Sequence, residues 1–97
     1  MQNKTTVVNC KRSKYDILIT RGTKWGNPYA IGVDGNRQEV CEKYEYYVRS
    51  KPELWDCLEE LCDKTLGCQC FPLMCHGNVL IKLLNEKLFG RIPTRTV

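Results

Sequence analysis

The chain has 97 residues and a mass of 11.3 kDa, which makes one domain with one modest core and no room for separate cofactor and substrate domains. Its 15 Lys and Arg against 11 Asp and Glu leave a net charge of +4, and 42% of its residues are hydrophobic, too many for a disordered chain. No apolar run approaches the ~18 residues of a membrane span, and the start Met1–Thr5 lacks the apolar core of a signal peptide, so a soluble cytoplasmic protein without membrane contact is expected.

Thr5–Asn9 is rich in β-branched residues and reads as a strand. Lys11–Lys14 is a polar turn, and Tyr15–Thr20 a second strand. The apolar run Ile17–Ile19 within it predicts burial on both faces. The long Gly-, Asn- and Pro-rich stretch from Arg21 to Gly35 follows, and loops of that length in compact domains are usually functional. A helix starts near Asn36, where Glu39 three residues later completes a capping box. Val40, Tyr44, Tyr47 and Val48 form its apolar face.

Pro52 suits the first turn of a second helix, with Leu54, Trp55, Leu58, Leu61 and Cys62 as its stripe. Lys64–Cys70 is a third strand, on which Leu66, Cys68 and Cys70 alternate onto one face. Phe71–Met74 is a loop, and a third helix runs from about His76 to Leu88. Residues 1–89 thus form one α/β domain, and 90–97 a flexible tail. The order β-β-α-α-β-α predicts a small Rossmann-like layer, with helices packed on a short sheet and a parallel crossover. Ligands in such sheets sit where strands end, so the segments Arg21–Pro28 and Cys70–Asn78 should meet at one edge.

Two constellations there carry chemistry. In Arg21-Gly22-Thr23-Lys24-Trp25-Gly26-Asn27-Pro28, Arg21 offers bidentate bonds to a phosphate and Lys24 a point charge. Thr23 and Asn27 add short polar contacts, and Trp25 adds a flat face for a base or sugar. The spacing is not that of a P-loop. Trp25 packing into the core is the competing reading.

The second constellation is Cys68-Gln69-Cys70-Phe71-Pro72-Leu73-Met74-Cys75-His76-Gly77-Asn78. Cys75 and His76 stand at the start of the third helix, whose free N–H groups and positive end attract an anion and lower a thiol's pKa. Asn78 can orient a ligand. Cys68, Cys70, Cys75 and His76 supply four N or S atoms, but their spacing departs from zinc knuckles and adjacent Cys75 and His76 suit one tetrahedral ion badly, so no metal or cofactor is expected. The seven cysteines are an odd number without an export signal, which reads as reduced thiols, with Cys57 and Cys62 as small core hydrophobes. Residues 36–65 hold five basic and eight acidic side chains, so the positive charge lies toward the two ends of the chain. That pattern suits a local anion site and argues against nucleic acid as partner.

Val7-Val8-Asn9, Tyr15-Asp16, Arg21-Gly22-Thr23-Lys24-Trp25-Gly26-Asn27-Pro28, Ile31-Gly32, Asp34-Gly35 and the run from Leu66-Gly67-Cys68 through Cys70 and Pro72 to Cys75-His76-Gly77 resemble, together, the domain-of-unknown-function family four-three-two-six of bacteria and phages. The resemblance spans Val7 to Asn85, and the chain departs from the pattern near Cys10 and at Gln69. It implies a compact α/β protein, often phage-borne, which would place it in a host cytoplasm, and it brings no activity.

The expected function is a binding module for a phosphate-bearing small molecule, a nucleotide derivative, held by Arg21, Thr23, Lys24, Trp25, Asn27, Cys75, His76 and Asn78 and sequestered by that binding. Two alternatives stand beside it. One is an enzyme on a nucleotide-like substrate with Cys75 as nucleophile and His76 as acid–base group. The other is a zinc-stabilised adaptor acting through protein contacts. Small domains gain from dimerising, and the acidic helices with their tyrosines offer a homodimer surface.

Overall fold

The computed structural model describes residues 3–70 and 73–90. The expectation of a flexible tail falls mostly on residues 91–97, which lie outside the described residues. The elements run β1 (Thr6–Asn9), β2 (Ile17–Leu18), α1 (Arg37–Arg49), α2 (Pro52–Trp55), a 3₁₀ turn (Leu58–Leu61), β3 (Thr65–Cys68) and α3 (His76–Phe89). The result is an α/β fold on a small parallel sheet. No helix among the described residues is long and apolar enough to cross a membrane.

β3 is the central strand, in the order β1-β3-β2. Val7 and Ile17 both pair with Leu66, and Val8 and Leu18 both pair with Gly67. β2 is therefore an edge strand, which corrects its expected burial on both faces: Ile17 and Leu18 are half-buried and only Ile19 is fully enclosed. The strand run predicted to Cys70 stops at Cys68, and Leu66, Gly67 and Cys68 are all buried.

Parallel neighbours usually need a crossover of a dozen or more residues. β1 and β2 flank the same strand, yet only residues 10–16 join them. That short return lies against the middle of β3. A Cβ at Gly67 would sit 2.7 Å from Tyr15 Cγ and 3.1 Å from Cys10 Cβ, so the missing side chain is what lets the chain pass. The opposite face, carrying Val7, Leu66, Cys68 and Ile19, joins the core with Tyr44 and Val48 of α1, Leu58 and Leu61, and Leu80, Leu83 and Leu84 of α3.

Local chemistry explains the helix ends. Asn36 Oδ1 accepts from Glu39 N–H at 2.8 Å and Glu39 Oε1 accepts from Asn36 N–H at 2.8 Å, closing the predicted capping box. The single second helix is corrected to α2 and a separate 3₁₀ turn, with backbone bonds Cys57 N–H to Leu54 O and Glu60 N–H to Cys57 O. At the break, Lys87 Nζ donates to Trp55 O at 2.6 Å, the carbonyl that would accept from Glu59 in a continuous α-helix. Leu54, Leu58 and Leu61 still reach the core. Arg49 of α1 bridges Glu86 of α3 at 2.6 Å, and Lys82 of α3 bridges Glu45 of α1 at 3.1 Å, tying the two long helices across their exposed edge.

Candidate functional site

A cleft of ≈ 200 Å³ opens at the carboxyl ends of β2 and β3. Thr20 and Arg21 reach it from the end of β2, Cys68, Gln69 and Cys70 from the end of β3, and Cys75 and His76 from the start of α3. Arg37, Val40 and Cys41 of α1 and Asn27, Tyr29, Ile31 and Met74 complete the wall. The two segments flagged in the sequence do meet at one edge of the sheet.

The loop after β2 is a pair of tight turns, with Thr23 N–H bonded to Thr20 O at 3.1 Å and Gly26 N–H to Thr23 O at 3.0 Å. Thr23 Oγ1 donates to the same Thr20 carbonyl at 2.7 Å, so Thr23 holds the turn and stands off the cleft wall. Lys24 points away to Glu60, 3.0 Å distant. Trp25 is 1% exposed: its indole N–H donates to Glu60 at 2.8 Å and its carbonyl accepts from the buried Tyr44 hydroxyl at 2.7 Å. A stacking role for Trp25 has no surface to act from. Asn27 lines the cleft, but its amide is engaged by Val40 O at 3.2 Å and Tyr29 N–H at 2.9 Å.

Arg21 is exposed at the rim, with no hydrogen bond or ion pair to any described residue. Arg37 donates to the Met74 carbonyl at 3.1 Å. Arg37 and Tyr29 lie outside the two sequence motifs. Arg37 did carry a signal, since a cation in a first helical turn opposes the helix dipole and so asks for another reason to be there. No Asp or Glu is among the described lining residues.

The floor is built by the start of α3. Cys75 is the N-cap, its backbone N–H donating to Asn78 Oδ1 at 3.0 Å while its side chain accepts from the Asn78 N–H. Asn78 therefore completes a capping box, and its side chain is spent there rather than on a ligand. A hydrogen bond from Cys68, with backbone donors Gly77 and Asn78, outweighs burial and holds the Cys75 thiol below its ordinary pKa. Cys75 itself takes up N–H groups that a helix start would otherwise offer to an anion.

His76 is buried, and a ring nitrogen, Nε2, lies 2.6 Å from Ile19 O. A carbonyl only accepts, so Nε2 carries the proton and Nδ1 keeps the lone pair. Burial holds the imidazole below its usual pKa, and the Tyr44 ring stands edge-on to it at 5.0 Å. The Cys68 and Cys75 thiols and a His76 ring nitrogen lie within 4.8 Å of one another, all buried. Cys70, half-buried, lies outside that trio.

Comparison with known proteins agrees with the pattern of motifs. An uncharacterised protein, R718, of Acanthamoeba polyphaga mimivirus is 44% identical over 69 residues, 63% of this chain and 52% of its own length. The chain thus spans about half of that relative. An uncharacterised 12.4 kDa protein from the nrdA-td intergenic region of Enterobacteria phage T4 is 39% identical over 85 residues, 82% of this chain and 77% of its own length. No solved structure matches. Residues 3–86 match the family described as "Domain of unknown function (DUF4326)", and the chain belongs to that family.

Proposed function

We propose that the domain binds a phosphate-bearing small molecule, a nucleotide derivative, in the cleft at the carboxyl edge of its sheet. One observation carries this reading: two arginines, Arg21 and Arg37, line a cleft that has no Asp or Glu among its described lining residues. Elsewhere, Lys24, Arg49, Lys82 and Lys87 are each neutralised by a glutamate. A parallel, Rossmann-like arrangement receives ligands at this end of its strands. Guanidinium groups bind phosphate bidentately.

The volume of ≈ 200 Å³ is below the ~300–1,000 Å³ of a pocket that encloses a drug-sized molecule. A phosphate and its sugar would fill it, leaving the base at the rim beside Tyr29, whose ring already has Lys43 and Tyr47 as neighbours. With no reaction required by this arrangement, the role is capture, which in a viral setting withdraws a host nucleotide from use.

The test is calorimetry of the full chain against pyrophosphate, nucleoside mono- and diphosphates and ADP-ribose. Binding of at least one, weakened roughly tenfold or more by Arg21→Ala and by Arg37→Ala, is the expected result, since a charge-assisted bond contributes about 1.5–3 kcal/mol. A folded sample that binds none of them refutes it. The depressed pKa of Cys75 favours a second reading, an enzyme with a thiolate nucleophile; turnover of any of these compounds that Cys75→Ala abolishes selects it.

A further inference from the structure

Beneath the arginine pair the cleft ends on three soft donor atoms. Cys68 arrives on β3, and Cys75 and His76 at the start of α3. The sequence spacing argued against a metal because Cys75 and His76 are adjacent. The fold answers that objection: the N-cap residue is extended while His76 is already helical, so the two side chains leave the backbone in different directions. One ring nitrogen of His76 and the thiols of Cys75 and Cys68 still lie within 4.8 Å of one another. A tetrahedral zinc ion, with ~2.3 Å to sulfur and ~2.0 Å to nitrogen, holds its ligands a little closer than this. Binding therefore requires the three side chains to draw together by that difference.

The surroundings of the trio are those of metal ligands. His76 gives its Nε2 proton to the Ile19 carbonyl at 2.6 Å, which leaves Nδ1 as the one lone pair the ring can offer. Metal-binding imidazoles commonly fix their tautomer by such a bond to a backbone carbonyl. Cys75 receives N–H groups from Gly77 and Asn78, the kind of donor that supports a ligating thiolate. All three residues are buried, Cys68 and Cys75 within the core itself, and all three also line the cleft. Two thiolates and an imidazole select zinc over the hard, oxygen-seeking cations.

We propose that Cys68, Cys75 and His76 form a zinc site of the two-cysteine, one-histidine type, whose fourth position opens into the cleft beneath Arg21 and Arg37. Three protein ligands with an open position are the arrangement of reactive zinc sites, whereas closed sites use four. No fourth Cys, His, Asp or Glu among the described residues belongs to the group. Binding releases the thiol protons of Cys68 and Cys75 to solvent. The fourth position is then filled by water, hydroxide or an anionic ligand drawn in by the two arginines. This goes beyond the anion-binding reading and does not depend on it.

The experiment is cobalt substitution of the full chain, stripped of metal and kept reduced. The expected result is about one equivalent bound, with the intense visible absorption of tetrahedral cobalt and a near-ultraviolet thiolate band, both erased by zinc. Cys68→Ala and Cys75→Ala each lose the thiolate band and weaken binding by more than the roughly 10–100-fold that outer-shell changes cost, while Cys57→Ser keeps the whole spectrum. Added azide shifts the visible band by entering the open position, and Cys70→Ser leaves metal loading unchanged. A weak, octahedral spectrum in the wild-type chain overturns the proposal without requiring any variant to fold. So does a thiolate band that survives in Cys68→Ala and Cys75→Ala. Indifference to azide, or loss of metal in Cys70→Ser, overturns the open position. Pyrophosphate binding by a chain that takes no metal overturns this inference and leaves the anion-binding reading standing.

Discussion

Glu60 sits on the 3₁₀ turn, yet it organises the loop after β2. One carboxylate oxygen accepts from the Trp25 indole at 2.8 Å and the other from Lys24 at 3.0 Å. Burial pushes its carboxyl up, but the indole bond and then Lys24 outweigh that and hold it below its ordinary value of 4.5. The unfolded chain therefore takes up the proton more readily. The resulting stability is fully present above the ordinary carboxylate range and is lost as pH falls through the lowered, folded value. Glu60→Gln keeps an acceptor for the indole and loses the charge. It is expected to cost under about 1 kcal/mol at neutral pH and to flatten the acid side of a Tm-against-pH profile. Glu60→Leu strands the Trp25 N–H and is expected to cost about 1–3 kcal/mol by urea denaturation; equal loss in the two variants refutes the indole bond as the main contribution. Gly67 makes a second prediction of this kind. Gly67→Ala places a methyl group 2.7 Å from Tyr15 Cγ, and overpacking of this sort costs about 1–3 kcal/mol. Removing the ring as well, in Gly67→Ala with Tyr15→Ala, should cost less than the two single losses added; strict additivity shows that the crossover does not rest on this glycine. Neither role was legible in the sequence. Trp25 and Glu60 are 35 residues apart, and no local pattern pairs them.

At the scale of elements, what reads from sequence is what local chemistry decides. The Asn36–Glu39 box and the start of α3 at His76 depend on residues within one turn of each other, so the pattern that predicts them is also their cause. At the break between α2 and the 3₁₀ turn, Lys87 engages the Trp55 carbonyl from 32 residues away, a contact that helical periodicity cannot foresee. The edge position of β2 is likewise a matter of topology: the run Ile17–Ile19 is equally apolar whether a neighbour stands on one side or on both. The seating of α3 is set by Gly77, where a Cβ would lie 2.9 Å from Val7 Cγ2 and 3.0 Å from Ile19 Cδ1. Gly77→Ala gains about 1 kcal/mol of helix propensity and loses about 1–3 kcal/mol by overpacking against β1 and the end of β2. The net expectation is a loss of stability, with the start of α3 displaced from the sheet. His76 shares that turn, and its chemical shifts are expected to move while those of Phe89 at the far end stay. A stabilised variant with an unchanged His76 spectrum refutes this account of how α3 is placed.

Across the whole molecule the charge is divided by surface. Arg49, Lys82 and Lys87 meet Glu45, Glu86 and Glu59 along the helical side, so that surface is closely balanced. Arg21 and Arg37 line a cleft that has no Asp or Glu among its described residues. The sequence placed Arg21, Cys75 and His76 at one site because their segments follow parallel strands, a rule of topology that needs no distances. It could not place Arg37, which belongs to a helix packed against α3 and α2, and it could not remove Lys24 and Trp25, whose partner lies on a distant turn. The division of charge gives a prediction that separates a specific anion site from general basicity. A ligand that binds only the folded state raises stability by RT ln(1 + [L]/Kd). Pyrophosphate at about 100 times its Kd should stabilise the wild-type chain by about 2.7 kcal/mol. If Arg21→Ala and Arg37→Ala each weaken binding tenfold and act independently, the double variant has a hundredfold larger Kd, and at the same concentration the gain falls to RT ln 2, about 0.4 kcal/mol. Without ligand the double variant should melt close to the wild type, because Arg21 is exposed and Arg37, among the described residues, makes one side-chain hydrogen bond, to the Met74 carbonyl. Lys11→Ala with Lys14→Ala removes the same charge from the exposed turn after β1 and should leave the ligand-induced shift nearly whole. An equal loss in both double variants would show that pyrophosphate responds to net charge alone, and the cleft would then have no claim on it.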